Sequence, residues 1–111
     1  MVKKRSRPPE AFLPLPPATF HILLALADGE LHGYAIMKKV QLGPGTLYGA
    51  LKRLLEARLV EEAGERTDEP DERRRYYRLT PFGVSVARAE VQRLDTIVRA
   101  ARRKKLIGRP A

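Results

Sequence analysis

Between Pro17 and Asp28 the chain is almost continuously apolar, with Phe20, Leu23, Leu24 and Ala27 at i, i+3, i+4 and i+7, and Ile22 and Leu26 widening that face. This spacing predicts a buried helix, opened by proline at its first position and stopped at Asp28-Gly29. A second helix is expected from about His32 to Val40, packing through Tyr34, Ala35 and Ile36, with Lys38-Lys39 where positive charge suits the C-terminal dipole. After a break at Gln41-Leu42-Gly43, Pro44 and Gly45 open a third helix to about Arg58, with Thr46 as a candidate cap. At 100° per residue, Leu47, Leu51, Leu54 and Leu55 form its buried stripe. Thr46, Gly49, Lys52, Arg53 and Glu56 fall on the opposite face, and Tyr48 lies on the flank.

Leu59-Val60 begins a strand, and the alternation of Arg74 to Leu79 predicts another, with one of Tyr76 and Tyr77 in the core and one outside. Between them Glu61 to Glu72 holds Gly64, Pro70 and seven acidic groups, a composition expected to form a mobile hairpin loop. Thr80-Pro81 gives a cap and first position for a long helix reaching about Lys105, where Gly108 and Pro110 end it. Along it Val84, Ala87, Val91, Leu94, Val98 and Ala101 step alternately by three and four, a heptad seam that predicts helix pairing between two copies. Met1 to Pro17 combines basic residues with five prolines, which excludes regular helix or central strand. It reads as a mobile arm whose second half, through Phe12, Leu13 and Leu15, straps across the core.

The expected organisation is a basic, proline-rich arm at 1–16, a body at 17–80, a long helix at 81–106 and a tail at 107–111. A chain of 111 residues makes one small domain that buries only about two thirds of its unfolded surface, so self-association is the ready source of further stability. The net charge of +9 resides in the ends: residues 1–10 carry +3 and residues 99–111 carry +6. Any nucleic-acid face on the body is therefore a local patch. The chain has no cysteine, which removes disulfides and thiolate metal sites and fits a reducing cytoplasm. His21 and His32 lack zinc spacing, so no metal and no cofactor is expected, and His32 is assigned to starting a helix. No apolar run reaches the roughly 20 residues that a membrane span needs.

This order of elements reads as mainly α with a small β-hairpin: a winged helix-turn-helix plus a long C-terminal dimerisation helix. In such a fold the third helix enters the major groove while other side chains hold the backbone. Thr46, Lys52 and Arg53 are the candidates for the groove; Tyr34, Tyr48, Arg73, Arg74 and Arg75 are the candidates for phosphate. The seam from Val84 to Ala101 is the candidate dimer interface. There is no Ser-His-Asp set, no paired carboxylates and no phosphate-cradling glycine loop to indicate an enzyme. The competing reading is a winged-helix protein-interaction module whose basic tails anchor nucleic acid nonspecifically.

Three stretches carry a family resemblance: His32-Gly33-Tyr34-Ala35-Ile36; Leu42 to Leu51 with Arg53-Leu54; and Arg75-Tyr76-Tyr77-Arg78-Leu79-Thr80-Pro81-Phe82-Gly83. Together they resemble the PadR family of bacterial transcriptional regulators over roughly residues 14–105, in its shorter branch with a single C-terminal helix. The resemblance implies a homodimer that represses at palindromic operators in double-stranded DNA and is released by a small effector. Members usually carry several more residues before the Leu-Gly-Pro-Gly-Thr motif. Here Val40 passes through Gln41 straight to Leu42, so either the turn is unusually tight or part of a loop is missing. Residues 83–111 contain no aromatic side chain, which argues against a ligand stacked on the long helix.

Overall fold

The computed structural model describes residues 7–69 and 72–108. It contains α1 (Pro17–Leu26), β1 (Leu31–His32), α2 (Gly33–Val40), α3 (Pro44–Glu56), β2 (Val60–Glu69), β3 (Glu72–Leu79) and α4 (Pro81–Arg103). The three strands form an antiparallel sheet in the order β1-β3-β2. Ile22, Leu23 and Leu26 of α1, Ile36 of α2 and Leu47, Leu51 and Leu54 of α3 meet Leu59, Val60, Tyr77 and Val86 in one buried core.

Several boundaries and faces differ from expectation. The buried residues of α1 are Ile22, Leu23, Ala25 and Leu26, while Leu24 is 42% exposed. Ala27 is exposed too. A helix apolar around its whole circumference gives periodicity nothing to choose between, and tertiary contacts with α2, α3, α4 and β3 set the face. Thr46 does not cap α3: Gly43 is the cap residue and offers no side chain, which leaves Thr46 in the exposed first turn. The link between α2 and α3 is a tight turn, with Gln41 left-handed at φ 56° and its N–H donating to the Met37 carbonyl at 2.9 Å.

The expected loop over Glu61 to Glu72 is mostly strand. β2 runs ten residues, paired to β3 from Val60↔Leu79 through Glu69↔Glu72. Gly64, at φ 96°, sits in a bulge rather than a turn, where the register shifts between Glu62 and Glu65. The bulge brings Glu62 and Glu65 both to Arg75, at 3.2 and 3.7 Å. Cross-strand charge pairs of this sort support a ladder that composition alone reads as coil. Pro70 and Asp71 lie outside the described residues, as do residues 1–6 of the expected arm and 109–111 of the expected tail.

The remainder of the arm is seated. Pro9–Phe12 makes a short 3-10 turn despite its prolines, Phe12 meets Phe82 edge-on at 5.5 Å, and Leu15 is buried. The Leu15 N–H donates at 3.0 Å to Glu90 of α4, a carboxylate only 2% exposed, which also accepts from Arg93 Nη2 at 3.0 Å. The Arg93 guanidinium, aided by the Leu15 N–H, holds Glu90 below the ordinary carboxylate range against the opposing effect of desolvation.

α4 is rooted where α3 ends. The Thr80 N–H donates to the Leu59 carbonyl at 3.1 Å, the Thr80 hydroxyl to the Arg58 carbonyl at 2.6 Å, and the Gly83 N–H to the Thr80 hydroxyl at 2.9 Å. A Cβ on Gly83 would stand 1.9 Å from the Leu59 carbonyl oxygen, so only glycine admits this approach. At its far end α4 stops before Gly108: Lys105 turns left-handed at φ 62° and the Leu106 N–H reaches back to the Ala101 carbonyl at 2.9 Å.

Candidate nucleic-acid interface

α3 buries Leu47, Ala50, Leu51 and Leu54 and turns Thr46, Lys52 and Arg53 outward. With proline and glycine in its first two positions, the helix presents an open leading end; a Cβ at Gly45 would meet nothing within 4 Å.

The other five candidates converge. Tyr34, Tyr48, Arg73, Arg74 and Arg75, with His32, Gly33, Glu65 and Tyr77, line one hollow of about 330 Å³ between α2, α3 and the β2–β3 hairpin. Tyr48 packs closely on Gly33: a Cβ there would come within 2.7 Å of the Tyr48 hydroxyl. Tyr34 and Tyr48 remain 47% and 49% exposed. Thr46, Lys52 and Arg53 stand outside the hollow. The surface thus has two parts, a helix face suited to base edges and a basic, tyrosine-lined hollow suited to backbone phosphate.

His32 lies in the hollow, between α2 and the hairpin. Its Nδ1 accepts the Ala35 N–H at 3.1 Å and so caps α2, as the sequence indicates. The ring stacks on Tyr34 at 6.4 Å, meets Tyr76 edge-on at 5.3 Å and lies 3.5 Å from Arg74 Nη1. Lys38, one turn beyond Tyr34, places its ammonium 5.2 Å from that ring, a contact that the i, i+4 spacing in the sequence permits.

The hairpin has two charge systems, divided by strand alternation. On the side of Tyr77, Arg73 and Arg75 are paired to Glu65 at 3.9 and 3.7 Å, so this acidic neighbour shares the arginines' face. Burial pushes the Tyr77 phenol above its ordinary value. On the side of Tyr76, Arg66 bonds Glu30 and lies 4.2 Å over the Tyr76 ring. Arg78 reaches Glu61 at 2.7 Å and Glu30 at 3.3 Å. Those guanidinium groups, Arg66 first, hold the Glu30 carboxyl below its ordinary range.

Of the expected seam on α4, Ala87 packs against the chain's own core and Val84 is half-buried. Val91 and Val98 are exposed, while Leu94 and Ala101 are half-buried. Ile97, Leu106 and Ile107, which the heptad pattern leaves out, are exposed apolar side chains beside them.

Two helices joined by a tight turn, the second with an exposed polar face, and a hairpin flanking it define a winged helix-turn-helix protein. The chain belongs to the transcriptional regulator PadR-like family, whose pattern matches residues 22–89. It is similar to a PadR family transcription regulator from Clostridium difficile, with a TM-score of 0.71 and 27% identity over 79% of this chain and 97% of that one. A transcriptional regulator from Clostridium thermocellum aligns with a TM-score of 0.64 and 25% identity, covering 77% and 89% of the two chains. BpsR of Bordetella bronchiseptica, whose DNA binding is regulated by 6-hydroxynicotinic acid, gives 0.64 and 25% over 78% of this chain and 64% of that one. In sequence, an uncharacterized 37.1 kDa protein in transposon TN4556 of Streptomyces fradiae is 47% identical over 68 residues. That match takes in 56% of this chain, which spans only 18% of the relative. Among the described residues, no helix is long and apolar enough to cross a membrane.

Proposed function

We propose that the chain is a homodimeric, sequence-specific transcriptional repressor that acts in the cytoplasm on a palindromic operator and is released by a small effector. Thr46, Lys52 and Arg53 enter the major groove, while Tyr34, Tyr48, Arg73, Arg74 and Arg75 hold phosphate. The exposed half of α4 pairs two protomers through Val91, Leu94, Val98 and Ala101, with Val84 and Ala87 nearer the root. The observation that carries this reading is the convergence of the five phosphate candidates on one hollow beside the exposed face of α3. Control of BpsR by a small molecule supports the effector.

Selection from a pool of random duplexes tests the whole reading, with an inverted repeat whose half-sites lie about 34–36 Å apart as the expected product. If the dimer neutralises about eight phosphates, log affinity falls against log salt with a slope near −7. Arg53→Ala weakens binding to the selected duplex more than to random DNA; equal losses would reduce Arg53 to a backbone contact. The pairing of Arg73 and Arg75 to Glu65 favours a second reading, a protein-interaction module anchored by its basic tails. Loss of all DNA binding after removal of residues 1–10 and 103–111, with no sequence preference in the intact chain, selects that module.

A further inference from the structure

We infer that Glu30 is a positioning residue for the wing: through Arg66 and Arg78 it ties β2 and β3 to the α1–β1 loop and holds the hairpin arginines at a set distance from Tyr34. The inference rests on the DNA-binding reading for its consequence, and on geometry alone for the positioning.

Glu30 immediately precedes β1, the two-residue strand that pairs Leu31↔Tyr77 and His32↔Tyr76. This short pairing is the hairpin's backbone attachment to the loop before α2, and β2 has no ladder of its own to β1. Glu30 reaches past that edge to both hairpin strands, accepting from Arg66 of β2 and, at 3.3 Å, from Arg78 of β3. The grip continues inward. Arg66 covers Tyr76 at 4.2 Å, Tyr76 meets His32 at 5.3 Å, and His32 contacts Arg74 and Tyr34, both of which line the phosphate hollow. One carboxylate outside the hollow therefore stands at the head of a chain of contacts that ends inside it.

Electrostatics alone and positioning make opposite forecasts. Removing an acidic group from a protein that binds a polyanion tightens binding if charge is all that matters. If Glu30 positions the wing, its loss weakens binding, because the arginines lose their register with the backbone. Glu65→Gln removes the same charge from the opposite side of the hairpin and serves as the electrostatic comparison.

The test is fluorescence anisotropy of the full chain with the duplex it selects, across a salt series, for wild type, Glu30→Gln, Arg66→Lys and Glu65→Gln. Glu30→Gln is expected to bind about fivefold more weakly, on the order of one exposed ion pair, with a salt slope shallower by about one phosphate contact. Arg66→Lys keeps the charge, loses the forked geometry and the cover over Tyr76, and is expected to weaken binding as well. Glu65→Gln binds more tightly. Equal or tighter binding by Glu30→Gln overturns the inference. Backbone amide relaxation of Arg73 to Arg75 without DNA reads positioning directly. Raised mobility in Glu30→Gln, with α3 unchanged, supports it; unaltered hairpin order overturns it even in a chain that binds no duplex.

Discussion

The wing and the outer half of α4 both project from the core, and they are stabilised in opposite ways. Their projection shows in a radius of gyration of 16.6 Å, against about 13 Å for a compact chain of this length. The wing is polar, and its charges find partners within the chain: Arg75 with Glu62 and Glu65, Arg78 with Glu61 and Glu30. The outer half of α4 is apolar along one side, with Val91 48% and Ile97 52% exposed, and those side chains have no partner surface of their own. A self-paired polar arm is stable alone and free to meet a polyanion. An uncovered apolar stripe asks for a second apolar surface, which in the proposed dimer is a copy of the same helix.

The largest effect lies at the root of α4. Gly83→Ala drives a methyl group into the Leu59 carbonyl, and because the clash is with backbone no rotamer relieves it. A loss of about 3 kcal/mol or more is expected in urea unfolding, with α3 and α4 disturbed together because both meet at that junction. A loss below about 1 kcal/mol would show that the junction yields easily. Next comes the stripe itself. Val98→Glu places a charge within the proposed pairing stripe, and on that reading the dimer dissociation constant is expected to rise about a hundredfold, about 2.8 kcal/mol at 1.4 kcal/mol per tenfold. Sedimentation velocity at micromolar concentration reads it, and a wild type that sediments as lone protomers removes the stripe from the interface.

The same contrast governs what was legible in the sequence. Helices with one apolar face, α3 above all, declare themselves because burial repeats at a fixed angle: Leu47, Leu51 and Leu54 lie where the wheel puts them. On α4 the same pattern reads correctly at the root, where Ala87 packs against the core, while Val91 and Val98 stay exposed and Ile97 lies outside the heptad. The start of β2 at Val60 is legible, but its continuation from Glu61 to Glu69 is not, because that ladder depends on charges that match only across the hairpin, and a single strand read alone shows acidic residues and a glycine. α1 fails differently: a helix apolar all round has no preferred face until its neighbours choose one. In the site, the tyrosines and arginines stood out by type, but Glu30, 36 positions from Arg66, carries no local mark of its role. The clasp between Leu15 and Glu90, 75 positions apart, was equally invisible.

That clasp gives a third, smaller effect. Glu90→Gln removes the charge that Arg93 and the Leu15 N–H satisfy, and is expected to cost about 2 kcal/mol at pH 7, in the range for hydrogen bonds to charged groups. The folded carboxyl titrates below its ordinary value of 4.5, so its stabilisation is complete above that value and is lost as pH falls through the lower folded one. Urea midpoints of wild type and Glu90→Gln, compared at pH 7 and pH 3 at one protein concentration, should therefore converge in acid. A gap of equal size at both pH values would mean that packing, not charge, makes the difference.

The smallest effect on stability tests the wing most directly. Glu65 pairs with Arg73 at 3.9 Å and with Arg75 at 3.7 Å, and the carboxylate and both guanidinium groups are about half exposed or more. Exposed pairs of this kind contribute about 0–1 kcal/mol, so Glu65→Gln should move the unfolding midpoint by about 4 °C at most. On the DNA-binding reading its effect on DNA binding should exceed its effect on folding, since Arg73 and Arg75, which line the hollow, lose a competing anion while the hairpin keeps its backbone ladder and its contacts to Glu30. Tighter binding with a steeper salt slope is the expected outcome in anisotropy measurements. Unchanged binding would mean that Arg73 and Arg75 are spent on the hairpin itself, leaving Tyr34, Tyr48 and Arg74 to hold the backbone.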